Sequence, residues 1–91
     1  MAELAATSVP QLRRHFRLQW EEAQQAFVLL YPEGMVKLSG SAGEIMKRVD
    51  GTASMEAIVA DLERAFPGAD LRQDVLDFFG VAHERGWIDL R

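Results

Sequence analysis

The fold of this chain is decided by the stretch Phe27-Val28-Leu29-Leu30-Tyr31-Pro32-Glu33-Gly34-Met35-Val36-Lys37-Leu38. Its first five residues favour β-structure, and a second short apolar run follows Pro32-Glu33-Gly34. Because proline fixes φ in such a turn and glycine accepts a positive φ, the stretch predicts a β-hairpin. The first strand places apolar or aromatic side chains on both of its faces, so both faces need a cover.

A further strand precedes this hairpin. In Phe16-Arg17-Leu18-Gln19-Trp20 apolar and polar residues alternate, which is typical of a strand with one buried face. The polar run Glu21-Glu22-Ala23-Gln24 connects it to the second strand, Gln25 to Tyr31, and Met35 to Leu38 forms the third. These strands predict an antiparallel meander whose third strand lies at an edge.

Helical signals begin after the third strand. Ser41-Ala42-Gly43-Glu44 is a capping-box sequence that starts a short helix, and Asp50-Gly51 ends it. Ser54 is the predicted N-cap of a second helix, which ends at Pro67-Gly68. A second capping box, Asp70-Leu71-Arg72-Gln73, starts a third helix.

The third helix carries two apolar stripes, about 100° apart around its axis. One consists of Leu71, Val75, Phe78 and Ala82, and the other of Leu76, Phe79, Gly80 and His83. One stripe faces the core, and the second either widens the buried arc or lines a groove beside the sheet. Gly80 favours the groove, because a glycine within a helix costs about 1 kcal/mol relative to alanine and suits a close approach of another backbone.

Together these elements predict an α+β fold, a three-stranded antiparallel β-meander followed by a three-helix bundle, similar to a winged helix-turn-helix. A chain of 91 residues has enough apolar surface for one modest core. Residues 1–9 are small and polar, so we expect a flexible N-terminal arm ahead of a single domain at 10–91. Trp87 to Leu90 is expected to pack back as a short extended tail.

Composition and charge exclude several classes of function. The chain has 10 Lys and Arg residues against 14 Asp and Glu, a net charge of −4, and so lacks a long-range attraction for nucleic acid or anionic membranes. It has no cysteine, which excludes disulfides, thiolate catalysis and cysteine-bound metals. No apolar run approaches the roughly 20 residues of a membrane span and no signal peptide begins the sequence, so we expect a soluble, cytoplasmic protein.

The chain carries no recognisable catalytic motif. His15 and His83 each lack a companion at the spacing of a metal site. The pair Glu21-Glu22 falls in a connection, where solvation explains it, and the glycine-rich run 39–43 lacks the lysine of a phosphate-binding loop. We therefore expect no enzymatic activity, no metal and no cofactor.

Several segments, in their order and spacing, resemble the PqqD family of pyrroloquinoline quinone biosynthesis. They are Leu29-Leu30-Tyr31-Pro32-Glu33-Gly34, Ser41-Ala42 with Glu44-Ile45, Asp50-Gly51, Asp74-Val75 and Gly86-Trp87. The resemblance implies a peptide chaperone that binds the precursor peptide PqqA and presents it to the radical S-adenosylmethionine enzyme PqqE. The same fold serves as a precursor-peptide recognition element in other peptide-modifying systems.

The resemblance also implies a binding site, because in this family the peptide adds a strand beside the third strand and lies against the third helix. The residues at those places are Met35, Val36, Lys37, Leu38, Leu76, Phe79, Gly80 and His83. Gly80 and His83 stand where a leucine is more usual, which bears on the shape of the groove.

A basic cluster, Arg13, Arg14 and Arg17, stands out in this acidic chain. It is either a solvated face or a docking site for an acidic surface of the partner enzyme. Two other functions stay open at this point. One is a DNA-binding winged helix, which the acidic residues of the third helix disfavour, and the other is a structural homodimer closed by the second face of the sheet.

Overall fold

The computed structural model describes residues 7–38 and 40–91, and within them the chain forms five strands and three helices. The strands are β1 (Pro10–Leu12), β2 (Arg17–Glu21), β3 (Ala26–Tyr31), β4 (Gly34–Leu38) and β5 (Ile88–Leu90), and the helices are α1 (Ser41–Met46), α2 (Met55–Ala65) and α3 (Arg72–Glu84). None of these helices is long and apolar enough to cross a lipid bilayer. The predicted α+β architecture, a three-stranded antiparallel sheet with three helices, is confirmed.

The predicted meander is the main sheet, with β3 at its centre. β3 pairs antiparallel with β2 on one side and with β4 on the other. Leu29, which is fully buried, lies opposite Leu18 of β2 and Val36 of β4. Because directly opposed residues share a face, these side chains form the inner face of the sheet, which packs into the core.

The helix α1 packs against β3 and β4. A Cβ atom on Gly43 would lie 3.1 Å from Cδ2 of Phe27 and 3.5 Å from the carbonyl oxygen of Leu38, so the missing side chain lets the helix approach the sheet closely. α2 packs on α1 and α3, and α3 packs on β5. The sheet and the helices share one core, whose largest fully buried side chains include Leu29, Met46, Met55, Ile58 and Phe79.

The second face of the sheet is mixed in character. Val28 is only 1% exposed and lies between its cross-strand neighbours Gln19 and Lys37. Leu30 is half-buried, whereas its neighbour Met35 is 56% exposed. Long polar side chains can cover a central apolar residue with their aliphatic stems. Apolar surface therefore remains on this face mainly at Met35.

A second, two-stranded sheet, which we did not predict from the sequence, joins the two ends of the domain. β1 pairs antiparallel with β5, and Val9 and Arg91 extend the pairing with two backbone hydrogen bonds of 2.7 and 3.0 Å. The carbonyl of Ser8 accepts a hydrogen bond of 2.9 Å from the N–H of Met55. Residues 1–6 of the expected arm lie outside the described residues, but Ser8 and Val9 are held by these bonds. The ordered domain thus begins before Pro10.

The helix starts differ in how they are capped. The predicted N-cap of α2 is confirmed, because Oγ of Ser54 accepts a hydrogen bond of 3.1 Å from the N–H of Ala57. The predicted capping box of α1 does not form, because Ser41 is itself the first helical residue. Glu44, the other half of that box, accepts a hydrogen bond from Arg48 one turn later.

The start of α3 also lacks the predicted capping box. Leu71 occupies the N-cap position of α3, and no side chain caps the helix. The N–H of Leu71 instead donates a hydrogen bond of 3.1 Å to Oε2 of Glu63 in α2. This bond ties the beginning of α3 to the preceding helix across the turn at Pro67-Gly68.

Candidate functional site

The outer edge of β4 is open within the part of the chain that the structure describes, because the sheet order is β2-β3-β4. Tyr31 pairs with Gly34 across a two-residue loop, and the residues that flank such a loop exchange both backbone hydrogen bonds. The pattern alternates along an antiparallel ladder, so Val36 bonds to β3 as well. The N–H and C=O groups of Met35 and Lys37 therefore point away from β3, toward the open edge.

The side chains of β4 alternate between the two faces of the sheet. Met35 and Lys37 are exposed on the outer face, and Val36 is half-buried on the inner face. Leu38 is only 4% exposed and belongs to the core. The core therefore encloses the Leu38 side chain, and the predicted role of Leu38 at the strand edge that receives the peptide stays a prediction.

The buried line of α3 combines residues from both predicted stripes. Val75, Phe79 and Ala82 are 1%, 0% and 0% exposed and follow one another at i, i+4 and i+7. Phe79 was expected to line the groove, but it is a fully buried core side chain, and that expectation is wrong. The reason is that two stripes about 100° apart straddle one broad apolar arc, and the middle of that arc faces the core.

Three predicted residues of α3 remain beside this buried line. Leu76 is half-buried and packs against the core, Gly80 is half-buried, and His83 is exposed. Their spacing of i, i+4 and i+7 places them on one flank of the helix. α3 packs mainly on α2 and β5, whereas α1 packs on β4. A shared groove between β4 and this flank of α3 stays a prediction.

An apolar cleft of about 410 Å³ opens between the three helices. Its apolar walls include Ile45 of α1, Leu62 and Phe66 at the end of α2, and Leu71 and Val75 at the start of α3. The ring of Phe66 is 46% exposed, because α2 ends at Ala65 and the ring stands at the margin of the core. The helical spacing of Met55, Ile58, Val59, Leu62 and Phe66 predicts one apolar stripe from the sequence, so the exposure of Phe66 was not foreseen.

The lining of the cleft includes residues that follow β4 in the chain. These are Gly40 and Ser41, and the acidic residues Glu44 and Asp74 also line the cleft. Glu44 is engaged by Arg48, with 3.0 Å between Oε1 and Nη1. A segment that follows the β4 edge toward Leu38 would therefore enter a space suited to a large apolar side chain.

Arg48 links α1 to α2 through hydrogen bonds to Glu44 and Asp61. Nε of Arg48 donates a hydrogen bond of 2.6 Å to Oδ2 of Asp61, and Nη1 donates to the carbonyl oxygen of Glu44 at 2.8 Å. The hydrogen bond from Arg48 lowers the pKa of Asp61 below its ordinary value of 3.8. Arg64 adds a second, weaker contact to the same carboxylate at 3.3 Å. The network fixes α1 relative to α2 at the wall of the cleft.

The residues of the predicted basic cluster lie on different elements, and their role as a docking site stays a prediction. The guanidinium of Arg13 lies 3.6 Å from the carboxylate of Asp89 in β5. Arg14 is exposed in the turn before β2, and Arg17 is exposed within β2, opposite Leu30. Arg13 thus belongs to the small β1–β5 sheet, whereas Arg17 belongs to the outer face of the main sheet.

The two histidines, His15 and His83, lie on different parts of the fold. Within residues 7–38 and 40–91 no three His, Asp or Glu side chains lie close enough to hold a metal ion. His15 is exposed in the turn before β2, where its φ of 73° is left-handed, and His83 is exposed on α3. The arrangement offers an open strand edge and an apolar cleft, and both are features of a binding surface.

Comparison with known proteins agrees with this description. The family model of Coenzyme PQQ synthesis protein D (PqqD) matches residues 26–88. The chain is 56% identical to a PqqA binding protein of Azotobacter vinelandii over 99% of both chains, and 56% identical to one of Pseudomonas aeruginosa PAO1 over 92% of both. Relatives with the same name in Acinetobacter baumannii are 47% identical.

Two solved structures are similar over most of their length. The first is the solution structure of the PqqD truncation of Methylobacterium extorquens PqqCD, described as a functional, stand-alone RiPP recognition element. It is 30% identical, with a TM-score of 0.77, over 96% of this chain and 95% of that one. The second is the crystal structure of PqqD from Xanthomonas campestris, 34% identical, with a TM-score of 0.53, over 91% and 94%.

Proposed function

This chain belongs to the PqqD family, and we propose that it binds a PqqA-like precursor peptide and presents it to a PqqE-like radical S-adenosylmethionine enzyme. The relatives named PqqA binding protein, at 47–56% identity, support the peptide as the ligand. The structural neighbour described as a recognition element supports the same mode of action. The observations that carry the proposal are the open edge of β4 and an apolar cleft between the helices, whose lining includes Gly40 and Ser41 just after β4 in the chain.

The peptide adds a strand to the edge of β4. Met35 and Lys37 direct their backbone donors and acceptors outward, which gives an extended peptide a ladder of hydrogen bonds. Backbone hydrogen bonds do not depend on the sequence of the peptide. They therefore raise the affinity for an extended peptide more than they distinguish one peptide sequence from another. Recognition of the peptide sequence then depends on the side chains that reach the helices.

The cleft recognises the sequence of the peptide through one of the peptide's side chains. A strand beside β4 directs alternate side chains to the inner face of the sheet, and beyond Leu38 it meets the opening at Gly40. An apolar side chain of the peptide fills the cleft against Phe66 and Leu71, which removes apolar surface from water on both partners. Leu76 and Gly80 on the flank of α3 contact the peptide farther along the helix.

In this proposal the chain positions the peptide, and the partner enzyme catalyses the cross-linking reaction. Holding the peptide extended and in one register raises its effective concentration at the enzyme. We therefore expect that this chain has no turnover of its own and raises the rate of cross-linking by its partner.

Titration calorimetry with a synthetic PqqA-like peptide tests the binding step. We expect saturable binding of one peptide per chain, and a scrambled peptide of the same composition is the control. A cross-linking assay of the reconstituted partner enzyme, with and without this protein, tests presentation. Equal affinity for both peptides, or an equal cross-linking rate with and without the protein, would contradict the proposal. Light scattering in the same samples shows whether the peptide binds a monomer or a homodimer.

A further inference from the structure

The edge of β2 that points away from β3 is a second open strand edge within the described residues, because β2 stands at the other end of the order β2-β3-β4. Since Tyr31 bonds to β4, the alternate residues Leu30 and Val28 direct their backbone groups toward β2. The N–H and C=O groups of Leu18 and Trp20 therefore point away from the sheet. An edge of this kind is a ready template for another strand.

The side chains of β2 differ between the two faces of the sheet. Leu18 and Trp20 share the inner face, where Leu18 packs against the core and the indole of Trp20 is 45% exposed. Arg17 and Glu21 share the outer face and stand at the two ends of the strand. Gln19 lies between them and donates a hydrogen bond to the carboxylate of Glu21. The strand thus carries one charge of each sign.

The sequence of β2, Arg17-Leu18-Gln19-Trp20-Glu21, is complementary to itself when two copies run antiparallel. A two-fold axis at Gln19 places Arg17 of one copy opposite Glu21 of the other, and Leu18 opposite Trp20. The outward backbone groups of Leu18 and Trp20 then bond to each other, and opposite charges meet at each end. An axis at Leu18 or at Trp20 keeps the backbone pattern, but it opposes one of the two charged residues to Gln19.

The edge of β4 lacks this complementarity. Lys37 is the charged residue of β4, so a two-fold axis on that strand opposes Lys37 to an uncharged residue or to a second Lys37. Like charges directly opposite each other destabilise a strand pair. A second copy is therefore favoured at β2, and a strand of another sequence is favoured at β4.

We propose that the edge of β2 pairs with the edge of β2 in a second copy of this chain. The two main sheets then form one continuous sheet with the order β4-β3-β2-β2-β3-β4, and Trp20 loses water contact against Leu18 of the second copy. Both β4 edges lie at the ends of this sheet and remain open, so the inference does not depend on the proposed function. A contact through a strand of five residues is small beside the roughly 1,200–2,000 Å² of a standard interface, so the dimer is weak and depends on concentration.

Charge variants at the two ends of β2 test this inference by sedimentation velocity at low salt, over a micromolar to millimolar range of concentration. Wild type should change from monomer toward dimer over this range. Arg17→Glu opposes two carboxylates and Glu21→Arg opposes two guanidinium groups, so each variant alone should dimerise about tenfold more weakly. An equimolar mixture of the two variants should form a heterodimer, because opposite charges then meet at both ends. The double variant Arg17→Glu/Glu21→Arg should dimerise as wild type does.

Arg72→Glu is the matched control, since Arg72 is exposed on α3 and the change of charge equals that of Arg17→Glu. It should dimerise as wild type does. The inference is overturned if wild type stays a monomer over the whole range, if the folded Arg17→Glu and Glu21→Arg variants dimerise as tightly as wild type, or if their mixture forms no heterodimer.

Hydrogen exchange of the wild-type chain tests the interface without any substitution. The N–H groups of Leu18 and Trp20 should exchange more slowly at concentrations where the dimer forms, because they are then bonded to the second copy. Exchange at these two positions that does not change with concentration, in samples that contain the dimer, would locate the interface elsewhere and overturn the inference.

Discussion

Tyr31 and Gly34 form the last pair of the β3–β4 ladder, directly across the loop Pro32-Glu33. This pairing determines which backbone groups of β4 are available to a partner. Since hydrogen-bonded pairs alternate with non-bonded pairs, the N–H of Val36 is used within the sheet and the N–H of Lys37 is directed outward.

The first prediction follows from that alternation. Lys37→Pro removes an outward donor and should weaken peptide binding by about 1–3 kcal/mol while the hairpin remains folded. Val36→Pro removes a donor that bonds to β3 and should lower the free energy of unfolding by about 2 kcal/mol or more. Calorimetry with the peptide and chemical denaturation separate the two effects.

Lys37→Ala is the control for this experiment, because it removes the charge and keeps the N–H. It should bind the peptide more tightly than Lys37→Pro does. If Lys37→Pro keeps wild-type affinity while its circular dichroism is unchanged, the peptide does not pair with this edge.

The second prediction compares two phenylalanines of different burial. Phe79 is fully buried, so Phe79→Ala should lower the free energy of unfolding by about 3–5 kcal/mol. Phe66 is 46% exposed and lines the cleft, so Phe66→Ala should weaken peptide binding by about 1–3 kcal/mol with a smaller loss of stability. Thermal denaturation and calorimetry measure both. A Phe66→Ala protein with wild-type affinity would show that the cleft does not hold the peptide.

The third prediction concerns the contact between α1 and the sheet. Gly43→Val places new atoms where a Cβ alone is 3.1 Å from the ring of Phe27, so it should lower the free energy of unfolding by about 1–3 kcal/mol. Ala57→Val is the control, because Ala57 is exposed on α2 and the same kind of side chain there changes only helix propensity, by about 0.5 kcal/mol. Equal denaturation midpoints for the two variants would contradict a close packing of α1.

The fourth prediction uses the lowered pKa of Asp61. A carboxylate whose pKa is lower in the folded state stabilises the fold above its ordinary pKa of 3.8, and this contribution is lost as the pH falls through the lowered value. The Tm of wild type should therefore exceed that of Asp61→Asn at about pH 6, and the gap should close as the pH falls below 3.8. A gap that does not depend on pH would mean that the Arg48 contact adds no stability through charge.

The sequence predicted the elements whose signals are local. The hairpin was recognisable because β-favouring residues flank Pro32-Glu33-Gly34, and the N-cap at Ser54 was recognisable from its residue type. The pairing of β1 with β5 was not, because each strand has only three residues and their partners lie at opposite ends of the chain. Contacts of such long sequence separation leave no periodic pattern.

The candidate site was predicted in part. The sequence identified the edge strand and the apolar surplus of α3, but it assigned Phe79 to a groove and missed the exposure of Phe66. Helical periodicity gives the angle between two residues, whereas the direction of the core depends on which elements pack on the helix. The sequence likewise did not show which backbone groups of β4 face the open edge, because that depends on the observed pairing of Tyr31 with Gly34.

The backbone bonds between Val9 and Arg91 bring the two ends of the folded domain to the same place. A linker of a few residues could therefore join Arg91 to Thr7. The domain could also be inserted into a loop of a host protein without changing the path of the host chain. Both junctions would lie at the β1–β5 sheet, and the edge of β4 belongs to the other sheet. The junctions of such an insertion and the proposed peptide edge would thus lie on different sheets.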